Sequence, residues 1–287
     1  MADFQKQKVQ WFPGHMAKTR RQIKEMLPLV DGVVELLDAR VPYSSANPEL
    51  DTLVRGKPRI VLLNKCDVAD PAATKRWIAA FEAQGKTALA VDCRSGKGLS
   101  AFLPTVQQVL KKTIEKNTQR GMAGKPLRLM VVGIPNTGKS SFINRMAGKN
   151  RAKVADKAGV TRQNQWFAVG GGIELLDTPG VLWPKFDDPE VGDRLAFIGS
   201  VKDEVTDLET LTCRLLEVLG RTRPQAIIQR YGIADEYMQG WEILEAIGRK
   251  RGFLMRGGEI DYNRSAVIVA DEFRGGKLGR MTLELPE

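Results

Sequence analysis

The sequence is poor in cysteine and has no long apolar run. Cys66, Cys93 and Cys213 are scattered through 287 residues, a pattern typical of reduced thiols in the cytosol rather than of a disulfide framework. No stretch of about 18 apolar residues occurs, so the sequence predicts no membrane-spanning helix. The N-terminal segment MADFQKQKVQWFPGHMAKTRRQ lacks an apolar core followed by a small-residue cleavage site. We therefore expect a cytoplasmic protein.

Basic residues are concentrated in the first two thirds of the chain. The net charge is +10, yet from residue 205 onward 12 Lys and Arg face 13 Asp and Glu, which leaves 32 against 21 before that point. Residues 1–30, 106–130 and 145–165 hold most of the excess. This distribution favours a polyanionic partner such as nucleic acid, although a solvated surface would account for any single stretch.

The first 180 residues alternate short apolar runs with amphipathic stretches, which is typical of a parallel α/β sheet. The predicted strands are Val33–Asp38, Arg59–Asn64, Thr87–Asp92, Leu127–Gly133, Trp166–Val169 and Ile173–Asp177. The predicted helices are Ala17–Leu29, Pro71–Gln84, Leu99–Asn117 and Lys139–Ala147. The small polar segment 118–125 is predicted to link two halves of the sheet, and residues 151–164 are predicted to form a long loop.

A second domain is expected after Gly180. A stretch rich in Pro and Asp leads to helical patterns, which lie at Glu209–Leu219, Pro224–Tyr231 and Gly240–Lys250. The tail from Ser265 alternates and predicts a short hairpin. We therefore expect an α/β domain over residues 1–184, a linker over 185–204 and a mainly helical domain over 205–287.

The segment Gly133–Ser140 (GIPNTGKS) fits the phosphate-loop pattern GxxxxGK[ST] and lies between a predicted strand and a predicted helix. Its glycines allow backbone N–H groups to turn toward an anion, and the helix N-terminus adds partial positive charge. Lys139 is expected to reach the outer phosphates, and Ser140 to ligate Mg²⁺. The other residues expected to contact the nucleotide are Pro135, Asn136, Thr137, Gly138 and Ser141.

Two further segments are expected to face the outer phosphate. Asp177–Gly180 (DTPG) ends an apolar strand about 40 residues after the phosphate loop. This position places Asp177 beside the same Mg²⁺ and lets Gly180 offer a backbone N–H to the γ-phosphate. Thr161, in the sequence AGVTRQ, is predicted to contact both the Mg²⁺ and the γ-phosphate; an ordinary surface threonine is the alternative.

Asn64–Asp67 (NKCD) follows the apolar run RIVLL and fits the guanine-recognition pattern NKxD. The Asp67 carboxylate can accept both N1–H and the exocyclic amine of guanine, donors that adenine does not present together. Asn64 is expected to hold the edge of the ring, and the stem of Lys65 to cover the base and ribose. After the next predicted strand, a loop expected to face guanine O6 holds Asp92, Cys93 and Arg94.

The guanine motif precedes the phosphate loop, whereas Ras-like GTPases begin with the phosphate loop. A sheet whose termini lie close together tolerates such a circular permutation. The predicted fold is therefore a circularly permuted Ras-like P-loop domain followed by a smaller, mainly helical domain.

These motifs together resemble the circularly permuted GTPases of ribosome assembly. The resemblance rests on WFPGHMAK at Trp11–Lys18, LLDARVPYSSANP at Leu36–Pro48, NKCD, GIPNTGKS and DTPGVLWPKF. It implies a GTPase that binds the assembling large ribosomal subunit, with rRNA and ribosomal proteins as partners, to promote its late maturation. We further expect the protein to use Mg²⁺ and to act as a monomer.

The means of hydrolysis is a separate question. Ras-like enzymes carry a water-orienting Gln directly after DxxG, but this chain has Val181 there. His15, the single histidine, belongs to a motif whose His the resemblance implicates in catalysis; a packed or surface residue is the alternative. Asn136 resembles the Asn of GTPases activated by K⁺, the alternative being a residue that only shapes its loop.

Other functions remain open at this point. A GTPase of tRNA modification would require a modification domain, which we do not find in the sequence. A GTP-dependent RNA scaffold with negligible hydrolysis is compatible with Val181, and a P-loop ATPase is disfavoured by NKCD. In the helical domain the best basic cluster for RNA is Arg249–Arg251 with Arg256, which would equally suit a solvated helix end.

Overall fold

The computed structural model describes residues 16–148, 153–154, 165–178, 180, 188–201, 207–233 and 239–286. These residues form two compact units. The α/β unit contains the described residues up to 180 together with the segment from Met281 onward, and the helical unit contains those from 188 to 280. This division differs from the predicted boundaries of the helical domain at both the start and the end of that domain. The helix over residues 189–197 belongs to the helical unit rather than to a linker, and the last residues belong to the α/β unit.

The α/β unit is built on a sheet of seven described strands in the order β3-β2-β1-β4-β7-β6-β5. The strands are β1 Gly32–Asp38, β2 Arg59–Asn64, β3 Thr87–Ala90, β4 Leu127–Val132, β5 Lys153–Val154, β6 Gln165–Gly170 and β7 Ile173–Asp177. Strands β1 to β4 and β7 pair in parallel, while β5 and β6 pair antiparallel. The parallel strands therefore end at one common edge of the sheet.

Helices flank this sheet. They are α1 Met16–Met26, α2 Pro42–Ser45, α3 Pro48–Leu53, α4 Pro71–Ala83, α5 Phe102–Val109, α6 Lys111–Gln119 and α7 Lys139–Ala147. The Asp70 carboxylate caps α4 by accepting the N–H groups of Ala72 and Ala73. The single helix predicted over Leu99–Asn117 is divided, because Leu110 leaves the helical conformation between α5 and α6.

The core lies on both faces of the central strands. Every residue of β1 is buried, and successive side chains point to opposite faces. Val34 and Leu36 join one apolar cluster that includes Phe102 and Phe142, whereas Val33 joins a cluster on the other face. Burial on both faces explains why the sequence shows continuous apolar runs here rather than alternation.

The helical unit contains α8 Pro189–Phe197, α9 Leu208–Thr222, α10 Pro224–Tyr231, α11 Gly240–Arg251 and α12 Tyr262–Arg274. The hairpin predicted from Ser265 is wrong, because residues 275–286 form no strand and residues 265–274 belong to α12. Asp261 caps it by accepting the N–H of Arg264. The helical period is visible in its buried residues, which are Ala266, Val269, Ala270 and Phe273.

Candidate functional site

A cavity of about 360 Å³ opens where the parallel strands end. It is lined by the loop between β4 and α7 and by the end of β7, through Pro135, Asn136, Lys139, Ser140, Asp177, Thr178 and Gly180. Ligands of open α/β sheets bind at this edge, beyond the carboxyl ends of the strands. The structure thus brings the predicted phosphate loop and the DTPG motif to one cavity.

Two glycines of the phosphate loop are required by its close packing. A Cβ on Gly133 would lie 2.6 Å from the carbonyl oxygen of Leu36, and a Cβ on Gly138 would overlap the Asn64 side chain. Both glycines have positive φ, 151° and 98°. Asn136 also has a left-handed φ, 62°, which Asn tolerates better than most residues. The loop therefore keeps its backbone facing the cavity.

Lys139 is the first residue of α7, and its side chain reaches back to the start of the phosphate loop. Its Nζ donates to the carbonyl oxygens of Gly133, at 3.0 Å, and Ile134, at 2.9 Å. Burial lowers the pKa of Lys139 to about 8, against the opposing effect of the Asp177 carboxylate. A bound anion would supply the negative charge that this ammonium group needs.

Asp177 and Ser140 present oxygen donors to the same cavity. Burial raises the pKa of Asp177, while Lys139 and the backbone N–H of Thr178 act in the opposite direction. A hydroxyl and a carboxylate are donors that suit Mg²⁺, which usually takes one or two carboxylates and completes its shell with phosphate and water. These residues therefore fit a Mg²⁺ held together with a phosphate ligand.

Asn64 joins three loops. Its Nδ2 donates to the carbonyl oxygen of Thr137 at 2.7 Å, and its Oδ1 accepts the N–H of Cys93 at 3.0 Å. Both amide atoms of Asn64 thus bond to protein, and the contact of Asn64 with the edge of the guanine ring stays a prediction. The side chain connects the NKCD motif to the phosphate loop and to the loop after β3.

Asp67 lies at the rim of this region. It pairs with Arg94 at 3.2 Å, and the Arg94 side chain is 84% exposed. An exposed pair of this kind contributes little free energy, so Asp67 can exchange Arg94 for a ligand at small cost.

The predicted base loop is braced by its own first residue. Asp92 accepts the N–H groups of Arg94, at 2.8 Å, and Ser95, at 3.2 Å. Burial raises the pKa of Asp92, but hydrogen bonds from Ser95 and the backbone outweigh it and leave the pKa lowered. Burial raises the pKa of the Cys93 thiol to about 12, so this thiol stays neutral. Asp92 thus shapes the loop, and the N–H groups of Cys93 and Arg94 bond within the protein.

Three predicted positions, His15, Thr161 and Val181, lie outside the described residues. Gly180 lies within them and approaches the phosphate loop closely. A Cβ at Gly180 would lie 3.0 Å from the backbone nitrogen of Pro135. The DTPG glycine therefore lies against the phosphate loop, and its contact with the γ-phosphate stays a prediction.

Sequence reasoning missed Asp38 and Arg40 as part of this region. The Asp38 carboxylate is buried at the end of β1 and pairs with Arg40 at 2.8 Å and with Lys65 at 2.9 Å. The available signal was the position of two opposite charges directly after an apolar strand, where burial forces such charges to find partners.

The comparisons with known proteins agree with this geometry. Residues 128–229 match a family model described as 50S ribosome-binding GTPase. Ribosome biogenesis GTPase A of Bacillus cereus is 46% identical over 279 residues, which is 97% of this chain and 94% of that protein. The chain belongs to the ribosome biogenesis GTPase A family. The member from Thermotoga maritima is 34% identical and covers 96% of this chain and 94% of its own length.

Solved structures extend the family match to the fold. A GDP-bound structure of TM YlqF has a TM-score of 0.67 at 32% identity and covers 93% of this chain and 99% of its own. GNP-bound YlqF from T. maritima has a TM-score of 0.65 at 30% identity, with coverages of 94% and 99%. The predicted P-loop GTPase fold is confirmed, and this family member is a GTPase that hydrolyses GTP. Among the described helices, none has the length and apolar character to cross a membrane.

Proposed function

We propose that this GTPase is a molecular switch that binds the assembling large ribosomal subunit in the cytoplasm and promotes its late maturation. The observation that carries the proposal is the near full-length similarity to proteins named ribosome biogenesis GTPase A. The excess of 32 basic over 21 acidic residues in residues 1–204 supports an RNA partner. The protein acts as a monomer that meets rRNA and ribosomal proteins.

In this proposal the cavity holds the phosphates of GTP. Lys139 contacts the outer phosphates, and Gly180 donates its N–H to the γ-phosphate. Ser140, Asp177 and Thr161 hold Mg²⁺, which would stabilise negative charge on the phosphates. The support is that Lys139, Ser140 and Asp177 line one cavity. Asp67 recognises guanine, and the neighbouring residues Asn64, Asp92 and Cys93 keep its surroundings in shape.

Hydrolysis requires a group that orients water, and Val181 does not supply one. We assign this role to His15 when the subunit is bound, and we assign to Asn136 the binding of K⁺ near the phosphates. The support for Asn136 is its left-handed conformation at the cavity wall. A monovalent cation there would stabilise charge in the transition state. Turnover is then faster in KCl than in NaCl at equal ionic strength, and Asn136→Ala removes the difference.

The helical unit is the proposed RNA-binding element. Helix α11 ends in the exposed residues Arg249–Arg251, followed by exposed Arg256. Exposed apolar side chains also occur in this part of the chain: Leu254 and Met255 follow α11, and Trp241 lies in its first turn. Basic and aromatic side chains together suit phosphates and unstacked bases. Phosphate contacts would make the binding fall steeply as salt rises.

Co-sedimentation tests this proposal. The protein is mixed with purified large subunits, small subunits or tRNA, each with a non-hydrolysable GTP analogue or with GDP. We expect it to pellet with large subunits, more with the analogue than with GDP, and less as salt rises. Binding to tRNA alone would overturn the assignment to ribosome assembly. Turnover that stays at the background rate with large subunits would instead indicate a GTP-dependent scaffold.

A further inference from the structure

Residues 38–40, which we term the Asp38–Arg40 turn, end β1 and form the turn after it. They contact the guanine motif through both side chain and backbone. Oδ2 of Asp38 accepts Nζ of Lys65 at 2.9 Å and Nη2 of Arg40 at 2.8 Å, and Oδ1 accepts Nε of Arg40 at 2.9 Å. The backbone N–H of Ala39 donates to the carbonyl oxygen of Asn64 at 2.8 Å. One buried carboxylate thus fixes the position of the Lys65 ammonium.

Through this contact, Asp38 orders the Lys65 side chain before a nucleotide binds. Lys65 has a left-handed φ of 61°, and its long stem loses rotamer freedom whenever it is ordered. Because Asp38 already binds Nζ in the free protein, the Lys65 side chain loses this conformational entropy on folding rather than on binding of the ligand. A group ordered in advance binds its ligand more tightly than one that is ordered on binding.

The chain returns to this turn at its far end, through a segment that we term the C-terminal clasp, residues 281–286. The N–H of Leu283 donates to the carbonyl oxygen of Arg40 at 2.8 Å, and the Thr282 hydroxyl donates to that of Ala39 at 3.1 Å. The N–H of Met281 donates to the carbonyl oxygen of Val68, directly after the guanine motif, at 3.0 Å.

Further bonds anchor the clasp to the α/β unit. The Glu284 carboxylate accepts the N–H of Ser44 at 3.0 Å, and the Glu284 carbonyl oxygen accepts the indole N–H of Trp77 at 2.9 Å. The side chains of Met281, Thr282 and Glu284 are buried. Because water is excluded there, loss of one of these bonds leaves a partner unsatisfied.

We propose that Asp38 is a positioning residue that holds Lys65 for the guanine base, and that the C-terminal clasp holds the Asp38–Arg40 turn in place. This inference rests on the proposed assignment of NKCD as the guanine motif. Guanine nucleotide affinity then depends on residues more than 200 positions away in the sequence.

The experiment is a double-mutant cycle on release of fluorescent mant-GDP, measured by stopped flow. Lys65→Met keeps the apolar stem and removes the ammonium, and Asp38→Asn keeps the size of the side chain and removes its charge. We expect each change alone to speed release about tenfold, as for a hydrogen bond to a charged group. The double variant releases no faster than Lys65→Met, because Asp38 acts through Lys65. A double variant in which the two accelerations of mant-GDP release multiply would overturn the proposal.

The clasp is tested by Thr282→Val, which keeps the side-chain volume and removes the hydroxyl. Release of mant-GDP becomes about threefold faster, a fraction of the value of one hydrogen bond, and the change has no effect in the Lys65→Met background. The matched control is Leu285→Ala, on the same segment but 55% exposed, which releases at the wild-type rate. Equal release by Thr282→Val and wild type would remove the clasp from the proposal. If Asp38→Asn does not fold, Thr282→Val and Lys65→Met still form a complete cycle.

Base selectivity separates this inference from the guanine assignment on which it rests. Inosine triphosphate lacks the exocyclic amine that Asp67 is proposed to bind. Asp38→Asn weakens the binding of GTP and of inosine triphosphate by the same factor, because Lys65 covers the face of the base and does not bond to the groups at its edge. A changed ratio between the two nucleotides would contradict the role of Asp38. If instead Asp67→Asn leaves base preference unchanged, the guanine motif itself is misassigned.

Discussion

At the scale of single residues, Lys139 is predicted to couple nucleotide binding to pH, because we propose that it contacts the phosphates. Burial lowers the pKa of its ammonium group to about 8, and a phosphate beside it would raise that pKa again. Nucleotide binding above pH 8 must therefore take up a proton. The same shift makes the free protein less stable below pH 8, where the buried group is charged, and stability rises between about pH 8 and the pKa of an unfolded lysine near 10.4.

We expect GDP affinity to be constant from pH 7 to 8 and to fall above pH 8, approaching tenfold per unit. Calorimetric titration at several pH values measures this dependence. Lys139→Arg is the control, because arginine stays protonated throughout the range; its weaker binding should not change with pH. A wild-type affinity that stays level up to pH 9 would contradict the uptake of a proton by Lys139.

Asp67 carries the prediction about base choice. Asp67→Asn should weaken GTP binding and improve binding of xanthosine triphosphate, because an amide can donate to the 2-oxo group where a carboxylate cannot. Competition titrations compare the two nucleotides. Arg94→Ala serves as the control, since it removes only the exposed partner of Asp67. Unchanged preference for GTP in Asp67→Asn would exclude this residue from the guanine site.

At the scale of one element, the phosphate loop depends on how closely it approaches the guanine motif. Gly138 has a φ of 98°, and a Cβ there would overlap the Asn64 side chain that binds Thr137 and Cys93. A side chain at this position would therefore separate the loops that Asn64 joins.

Gly138→Ala is expected to lower the free energy of unfolding by about 2–4 kcal/mol, from backbone strain and from the overlap, and to abolish GDP binding. Urea unfolding and mant-GDP titration measure the two effects. Gly252→Ala is the matched control: Gly252 also has a left-handed backbone, with φ 67° and ψ 33°, but a Cβ there meets nothing within 4 Å. It should be destabilised by about 1–2 kcal/mol, the cost of the left-handed backbone, and should still bind GDP. Equal loss of GDP binding in both variants would show that backbone strain, and not the overlap with Asn64, causes the loss.

Secondary structure was predictable where local signals were strong. Strands such as Arg59–Asn64 have the predicted limits, because a run buried on both faces is apolar throughout. Helix α12 was missed because two patterns overlap in the tail. Its apolar residues recur every three or four positions, but apolar and polar residues also alternate there, and such alternation predicts strands. The break between α5 and α6 was missed as well, since nothing in the sequence around Leu110 prevents a continuous helix.

At the scale of the whole molecule, the prediction concerns how the ribosomal subunit controls turnover. Val181 leaves no side chain after DTPG that orients water, so we propose that His15 supplies this function when the subunit is bound. In this arrangement the free protein hydrolyses GTP slowly, and fast hydrolysis depends on the bound ribosomal subunit.

We expect His15→Ala to leave GTP affinity nearly intact and to reduce subunit-stimulated turnover by roughly one to three orders of magnitude, the range for a group that positions or activates water. Phosphate release with and without large subunits measures both rates. The unstimulated rate is the internal control and should change little. Stimulated turnover equal to that of wild type would show that His15 has a structural role.

The sequence by itself determined the class of the fold and the GTPase activity, and it predicted which loops hold the nucleotide. Gly133–Ser140 and Asp177–Gly180 are contiguous motifs whose function follows from local backbone geometry, and the repeated strand and helix pattern specifies a parallel sheet. Only the tertiary structure showed what Asn64 and Asp38 do. Asn64 bonds to Thr137, 73 residues away, and the Thr282 hydroxyl bonds to Ala39, 243 residues away. Hydrogen bonds across such separations exist only after folding, since polar groups buried from water bond to whatever partner the fold brings near.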